Sequence, residues 1–314
     1  MPPTTTGASR TRLAYNANGM RSVALDEAVR VLADAGYDGV ELSLNAQHVD
    51  PWAFSPADAE RLQRALDATG LLACSLATGD PHLLGERAFE PAMVDPDPAA
   101  RERRLDLLRR GVRLGVRLGV PLVVFSTGTR SPGTPAAEAD RWVDEGVADL
   151  LDALHAELDA QGLPRGSTVL AVEPEPGFHC ATNADVARLL ERTGSGDLWL
   201  SQDLGHTVVV EDDPIASLAR HLPVTRHLQV EDIADRVHAH LVPGDGDVDF
   251  AAVGHALGTG GLDGWISVEL YDHDPVHREA ARRSREHLLR FLPALSGTGQ
   301  STGRTTGEGA GARR

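Results

Sequence analysis

Residues 169–173 read VLAVE, a short apolar run that ends in a carboxylate. The same arrangement recurs in residues 198–203, which read LWLSQD, and in residues 266–269, which read ISVE. Apolar runs of this length are typical of β-strands that are covered on both faces of a sheet. We therefore predict three buried strands, each of which places an acidic side chain at its carboxyl end.

Outward from these runs, the 314-residue chain alternates short apolar stretches with longer stretches of helical periodicity. The pattern predicts strands over residues 13–15, 39–44, 71–77, 121–126, 168–173, 198–202, 226–230 and 265–270. It predicts helices over residues 24–35, 99–118, 135–160, 183–193, 214–221, 250–257 and 277–292. One more helix is expected to begin with Ser55 as its N-cap and Pro56 in its first turn.

Eight strand–helix units are the number that closes a parallel sheet into a barrel. We therefore predict an α/β fold, a single-domain (β/α)8 TIM barrel over residues 12–295. An open doubly wound sheet is the alternative, but it favours a glycine-rich phosphate loop after the first strand. The corresponding residues 16–20 read NANGM and contain no such loop.

Charge and composition narrow the class of protein further. The formal net charge of −16 repels phosphate backbones, so we expect no nucleic-acid partner. We find no apolar signal segment in the polar residues 1–11, and no run of the ~18 apolar residues that cross a membrane. We expect a soluble, cytoplasmic protein with a flexible N-terminus over residues 1–11 and a disordered, Gly/Ser/Thr-rich tail over residues 296–314.

Three acidic side chains are expected to meet at one rim, because the active site of such a barrel lies at the carboxyl ends of its strands. They are Glu173, Asp203 and Glu269. Buried carboxylates without partners are costly and repel one another. A divalent cation relieves this repulsion, and oxygen ligands suit Mn²⁺, Mg²⁺ or Co²⁺. The alternative is that each carboxylate pairs with an arginine or caps the following helix.

Five segments of the chain are similar, in order and at barrel spacing, to a known family. They read GYDGVEL at 36–42, VEPEPG at 172–177, DLGH at 203–206, VPGDGDVDF at 242–250 and VEL at 268–270. Together they resemble the xylose-isomerase-like barrels, the sugar phosphate isomerase/epimerase superfamily. The resemblance extends over about residues 13–292.

This resemblance implies one divalent metal ion, held by a Glu, an Asp, a His and a Glu on strands five to eight. It assigns three of these positions to Glu173, Asp203 and Glu269. Gln229 occupies the place of the usual His, and His227 lies two residues earlier, on the same face of the strand. The fourth ligand is therefore either His227 or Gln229. Mn²⁺ is the expected cofactor, with Mg²⁺, Co²⁺ and Zn²⁺ as alternatives.

Five other polar residues are expected to contact the substrate. His206 is expected to face it from the loop after the sixth strand. His238 and His240 alternate along the chain, and substrate contact is our interpretation of both; a second metal site or an exposed loop is the alternative. Asn16, at the end of the first strand, and Glu41, in the second, complete the set.

The predicted function is a metal-dependent isomerase or epimerase of a sugar, sugar phosphate or polyol-derived ketone. Glu173 and Glu269 would move a proton through an enediolate that the metal stabilises. A lyase or dehydratase on a related polyol such as an inosose, or a C-glycoside-cleaving subunit, is the first alternative. An endonuclease-like phosphodiesterase and a barrel that only binds a metabolite are further ones. The expected partner is a small carbohydrate or polyol, and homo-oligomers are common among such barrels.

Overall fold

Eight parallel strands close into a barrel in the computed structural model, which describes residues 12–79 and 82–292. They are β1 (Arg12–Asn16), β2 (Gly39–Ser43), β3 (Leu72–Ala77), β4 (Leu122–Phe125), β5 (Val169–Val172), β6 (Leu198–Asp203), β7 (Thr225–Val230) and β8 (Trp265–Val268). Consecutive strands pair, and β1 closes the barrel against β8, with Leu13 opposite Ile266. The predicted (β/α)8 TIM barrel is confirmed, and each predicted strand overlaps an observed one.

The described residues contain nine α-helices. They are α1 (Leu25–Asp34), α2 (Pro56–Thr69), α3 (Pro98–Arg117), α4 (Ala136–Gln161), α5 (Asn183–Thr193), α6 (Leu204–Val210), α7 (Pro214–His221), α8 (Phe250–Gly260) and α9 (His277–Phe291). All but α6 were predicted. The expected start of α2 is confirmed: the Ser55 side chain accepts from the backbone of Asp58, whose carboxylate accepts from the Ser55 backbone in return. This reciprocal pair satisfies donors that the first turn of a helix leaves free.

Helix α6 differs from the sequence prediction, which gives a loop for His206. The backbone nitrogen of His206 donates to Asp203 Oδ1 at 2.7 Å, so Asp203 caps the helix. The three valines at 208–210 have low helix propensity, and the residue pattern alone therefore does not favour a helix. The cap compensates for this weak propensity.

A two-stranded antiparallel hairpin, Asp232–Ala234 with Val237–Leu241, follows β7 and lies outside the barrel sheet. Its turn, residues 235–236, reads Asp-Arg instead of the Asn-Gly pair that signals such turns, so the sequence pattern does not predict it. Both turn residues have positive φ, at 53° and 58°. The second strand of the hairpin carries His238 and His240.

Packing against the helices fixes which side chains point into the barrel. Leu170 and Val172 of β5 are fully buried in the core between barrel and helices, whereas Ala171 belongs to a separate cluster. Burying a side chain of this kind contributes about 1.5–3 kcal/mol. Successive side chains of a strand face opposite sides, so Glu173 follows Ala171 on the inward face. The apolar residues of β5 therefore direct the carboxylate of Glu173 into the barrel mouth.

Several expectations concern the ends of the chain. The flexible N-terminus (residues 1–11) and the disordered tail (residues 296–314) lie outside the described residues. None of the helices in the described part of the chain combines the length and the apolar character needed to span a bilayer.

Candidate active site

Three carboxylates converge at the carboxyl ends of the barrel strands. Glu173 follows β5, Asp203 ends β6 and Glu269 follows β8. One oxygen from each lies within 4.8 Å of the oxygens from the other two. The expected convergence of these three residues, which are far apart in the chain, is thus present in the structure.

The three carboxylates differ in their hydrogen bonds. Glu269 Oε1 accepts from Asn16 Nδ2 and from Asn18 Nδ2, both at 2.8 Å. Asp203 Oδ1 accepts from the His206 backbone, while the buried Oδ2 has no hydrogen-bond partner among the described residues. Because Asp203 Oδ2 is buried and can only accept when ionised, a cation or a proton has to face it.

Among residues 12–79 and 82–292, no arginine forms an ion pair with this cluster. Six acidic side chains line the mouth and the interior beneath it, and their ion-pair partners in the described part of the chain are histidines alone. The six are Glu41, Glu173, Glu175, Asp203, Glu231 and Glu269. Burial raises the pKa of Glu173 and of Glu269 well above the usual value, and neighbouring carboxylates raise both further. The donor set therefore fits a divalent cation, with Glu173, Asp203 and Glu269 as ligands.

Of the two seventh-strand candidates, Gln229 lies opposite Asp203 in the strand register, and His227 lies opposite Ser201, two residues earlier. His227 Nε2 is 3.5 Å from Glu41 Oε2, and its Nδ1 is 3.0 Å from Ser201 Oγ. Gln229 Nε2 donates to Glu41 Oε1 at 3.4 Å. Burial raises the pKa of Glu41 to about 8 and lowers the pKa of His227 to about 3. Both candidates for the fourth ligand thus face Glu41, and His227 Nε2 and Gln229 Oε1 are buried without a hydrogen-bond partner among the described residues.

Glu231 is a site residue that the sequence analysis missed. It is fully buried directly after β7, and neither carboxylate oxygen has a hydrogen-bond partner among the described residues. Burial raises its pKa well above the usual value, and the negative charge of Asp203 raises it further. Alternate residues of a strand lie on the same face, so residue 231 follows His227 and Gln229 on the inward face. Continuing this alternation by one more step would have identified Glu231 from the sequence.

Asn16 and Glu41, both expected to contact substrate, occupy different depths. Asn16 Oδ1 accepts from Ser43 Oγ at 3.0 Å while its amide donates to Glu269, so its side chain lies at the rim. Glu41 is fully buried against His227 and Gln229. Of the two, only Asn16 hydrogen-bonds to one of the three carboxylates, whereas the negative charge of Glu41 raises the pKa of Glu269.

His206, His238 and His240 form a second group beside the carboxylates. One ring nitrogen from each lies within 4.8 Å of the other two. His206 and His240 are buried, whereas His238 is exposed at the mouth. His206 Nε2 is also 3.6 Å from Glu175 Oε2, another acidic residue that the sequence analysis did not single out. Burial raises the pKa of Glu175 to about 8.

Asp232 holds the hairpin and the glycine-rich segment 242–250 together. Its Oδ2 accepts from the backbone of Gly244 at 2.7 Å and its Oδ1 accepts from Val248 at 3.0 Å. Asp232 thus has a structural role: it joins segment 242–250 to the hairpin that carries His238 and His240.

The combination of closed barrel and clustered carboxylates matches a known family. The model of the xylose isomerase-like TIM barrel family matches residues 29–291. The chain belongs to this family. The resemblance found in the five sequence segments is thereby confirmed at the level of the family.

Two curated proteins, both named inosose dehydratase, are similar to this chain. The Clostridium tetani protein is 28% identical over 132 residues, which are 36% of this chain and 44% of that protein. The chain therefore spans less than half of the length of this relative. The Clostridium beijerinckii protein is 24% identical over 290 residues, which cover 84% of this chain and 88% of that protein.

Among solved structures, a D-tagatose 3-epimerase-like protein superimposes with a TM-score of 0.74. The alignment covers 91% of this chain and 98% of that protein, at 16% sequence identity. At this identity, the likeness supports the fold and leaves the substrate open.

Proposed function

We propose that this protein is a metal-dependent isomerase or epimerase of a sugar, sugar phosphate or polyol-derived ketone, with the barrel of residues 12–295 as its catalytic domain. One observation carries the proposal: the Glu173 and Glu269 oxygens lie within 4.8 Å of each other and of Asp203, without arginine partners in the described structure. Two carboxylates at this separation can serve one carbon atom from two sides. Proton transfer next to a carbonyl needs such groups.

Glu173, Asp203 and Glu269 would hold one divalent cation, with Mn²⁺ expected and Mg²⁺, Co²⁺ or Zn²⁺ as alternatives. We propose Glu231 as the fourth ligand in place of His227 or Gln229, because its buried carboxylate lies next to Asp203, lacks a donor among the described residues and, unlike the equally unpartnered amide oxygen of Gln229, can carry a negative charge. When bound, the cation polarises the carbonyl and hydroxyl oxygens of the substrate and makes the neighbouring C–H bond more acidic.

The two glutamates have different environments, which suggests different roles. Glu269 accepts hydrogen bonds from Asn16 and Asn18, and such bonds favour the ionised form that acts as a base. Glu173 accepts no hydrogen bond of this kind from the described residues, and burial favours its protonated form. We therefore assign proton removal to Glu269 and proton delivery on the opposite face to Glu173. His206, His238 and His240 stand beside this pair and would contact the substrate.

A dehydratase acting on an inosose is the second candidate, favoured by the Clostridium beijerinckii protein that covers 84% of this chain. Both reactions begin when a base removes the proton next to a carbonyl. In a dehydration, the acid then protonates the neighbouring hydroxyl group, which leaves as water with the bonding electron pair. The same Glu269 and Glu173 could serve both reactions. The two reactions differ in the product, because only the dehydration releases water.

The test is incubation of the protein in D2O with a panel of ketoses, inososes and their phosphates, with and without Mn²⁺. An isomerase or epimerase incorporates deuterium next to the carbonyl and conserves the rest of the mass. A dehydratase gives a product lighter by one water. Mass spectrometry and NMR distinguish these outcomes. Absence of Mn²⁺-dependent exchange and of water loss across the whole panel would contradict both candidates.

A further inference from the structure

A buried arginine of helix α3 has no carboxylate partner among the described residues. The side chain belongs to Arg104, which is 6% exposed, and its Nε donates to the carbonyl oxygen of Pro91 at 2.6 Å. In the part of the chain that the structure describes, its guanidinium forms no other hydrogen bond and no ion pair. Burial lowers the pKa of Arg104 to about 10, so the side chain is still charged at neutral pH. A buried charge is costly unless an opposite charge faces it.

The guanidinium of Arg104 borders a narrow pocket at the carboxyl ends of the third to fifth strands. The described residues that line this pocket from the strand ends are Thr78, Gly79, Ser126, Gly128 and Phe178. Protein atoms do not enclose the two terminal nitrogens of Arg104, so these nitrogens are reachable from the pocket. The cavity volume is about 10 Å³, close to the least that holds one water molecule. The pocket can therefore admit the oxygen atoms of a small group, but it excludes a sugar ring.

The register of the barrel strands connects this pocket to the proposed proton-transfer site. Phe125 of β4 lies opposite Val172 of β5, so the next residues, Ser126 and Glu173, are neighbours across the two strands. The backbone nitrogen of Glu173 donates to the carbonyl oxygen of Phe125 at 2.9 Å. Ser126 follows Val124 on the inward face of β4. A substrate held at Glu173 can therefore place a small group beside Ser126, where the pocket begins.

Two phenylalanine rings form the apolar side of the pocket. Phe89 and Phe178 pack edge to face with their ring centroids 5.2 Å apart, and both residues line the pocket. Phe89 has φ of 59°, a left-handed conformation that costs free energy in a non-glycine residue and often occurs at functional sites. Apolar rings lower the local dielectric constant, and this strengthens the attraction between the guanidinium and an anion. The pocket thus combines one uncompensated positive charge with apolar walls, which suits a ligand with a single negative charge.

We propose that Arg104 binds a carboxylate group of the substrate, with the Ser126 hydroxyl as a second donor. A carboxylate is planar and spreads its charge over two oxygens, which match two nitrogens of a guanidinium. A phosphate group carries three terminal oxygens and fits the narrow pocket less well. The substrate is then a ketose that also carries a carboxylate, a subclass of the sugars in the proposed function. This assignment of the substrate rests on the proposed function, whereas anion binding by Arg104 does not.

The first experiment measures anion binding without turnover. The melting temperature of the full-length protein is recorded at pH 7 in sodium formate, sodium phosphate and sodium chloride at equal ionic strength. We expect a saturable rise in formate that exceeds the rise in phosphate, and no such rise in the Arg104→Met variant. Arg103→Met, at an exposed position of the same helix, is the matched control and should respond as the wild type does. The absence of a formate effect, an equal effect in Arg104→Met or a larger effect of phosphate overturns the carboxylate assignment.

A second variant covers the case in which Arg104→Met does not fold. Ser126→Ala removes only the hydroxyl group on the inner side of the pocket and leaves the guanidinium in place. This variant should require more formate than the wild type for the same rise in melting temperature. A formate response identical to that of the wild type overturns the role of Ser126 as a donor.

The second experiment tests the substrate. Deuterium exchange in D2O is compared for a ketose that carries a terminal carboxylate and for the neutral ketose of the same chain length, both at saturating Mn²⁺. The wild type should prefer the acid, and Arg104→Met should lower this preference in kcat/KM by at least about 30-fold, as expected when one partner of a buried charge pair is truncated. Arg103→Met should keep the preference.

The outcomes separate this inference from the proposed function. Exchange of the neutral ketose without any preference for the acid overturns the assignment of the substrate and leaves the proposed function intact. A lack of exchange with either compound counts against the proposed function, while the formate measurement still decides whether Arg104 binds an anion.

Discussion

Gly205 lies against the carboxylate of Glu231: a Cβ atom at position 205 would approach Glu231 Oε1 to 1.8 Å. Only glycine fits there without displacing Glu231. A Gly205→Ala substitution should therefore move the proposed fourth ligand and weaken Mn²⁺ binding by at least about tenfold, the scale of lost metal-site support. Calorimetric titration with Mn²⁺ measures this. Gly258→Ala, in an exposed turn of α8 with nothing within 4 Å, is the matched control and should bind Mn²⁺ normally.

Removal of the Glu231 charge tests the fourth ligand directly. Glu231→Gln keeps the size of the side chain but replaces a carboxylate by a neutral amide, so we expect Mn²⁺ affinity to fall by about 10- to 100-fold. Gln229→Ala is the comparison, because the Gln229 side chain donates to Glu41 and its amide oxygen is the other candidate ligand. If Gln229→Ala weakens Mn²⁺ binding and Glu231→Gln does not, the assignment of Glu231 is wrong and the position belongs to Gln229.

The assigned roles of the two glutamates predict different partial reactions. Glu173→Gln should lose turnover by about 10²–10⁴-fold, yet Glu269 should still remove the proton and return deuterium to the same face in D2O. Glu269→Gln should lose both turnover and exchange. The variants are compared at saturating Mn²⁺, with metal content measured, because both residues are also proposed ligands. Equal exchange by the two variants would contradict the division of roles.

The metal-free protein should become less stable as pH rises. Burial raises the pKa of Glu41 to about 8 and of Glu175 to about 8, above the value of about 4.3 expected for Glu in the unfolded chain. Between these values, the folded state holds protons that the unfolded state has lost, so the free energy of unfolding decreases with pH. The buried histidines His206, His227 and His240 have lowered pKa values and act in the opposite direction up to about pH 6.5, the pKa of His in the unfolded chain. The melting temperature should therefore fall between pH 7 and pH 8.

Mn²⁺ should reverse this trend, because metal binding displaces protons from its ligands and strengthens as pH rises. The increase in melting temperature on adding Mn²⁺ should be larger at pH 8 than at pH 6. Glu41→Gln should flatten the slope of the metal-free protein, whereas Glu60→Gln, at an exposed position, should leave it unchanged. A metal-free protein that is more stable at pH 8 than at pH 7 would refute this account.

The local pattern of apolar and acidic residues was sufficient to predict the barrel strands and the three carboxylates at their ends. The runs at 169–173, 198–203 and 266–269 are apolar because both faces of a barrel strand are covered, and their terminal acids reach one rim because parallel strands end at the same edge. The family resemblance over residues 13–292 rested on the same short segments.

The hairpin and α6 could not be predicted because their local signals are weak. The turn at 235–236 lacks the glycine that such a turn favours, and contacts from Arg236 to the end of α6 enforce it instead. The valines at the end of α6 favour a strand, and Asp203 overrides them by capping the helix. In both places, contacts between segments decide the conformation.

The sequence by itself determined the barrel, the strands that compose it and the three acidic residues at its mouth. Only the tertiary structure decided that the buried carboxylate of Glu231 lies close to Asp203, that His227 and Gln229 both face Glu41, and that three histidines converge. The physical reason is that two different properties place a side chain in a barrel. The alternation of residues along a strand determines which face a side chain lies on, and this can be read from the sequence. Its position along the barrel axis depends on the register between neighbouring strands. That register shifts between Leu200 and Ser201, where β6 meets β7, a feature that depends on packing across the whole barrel.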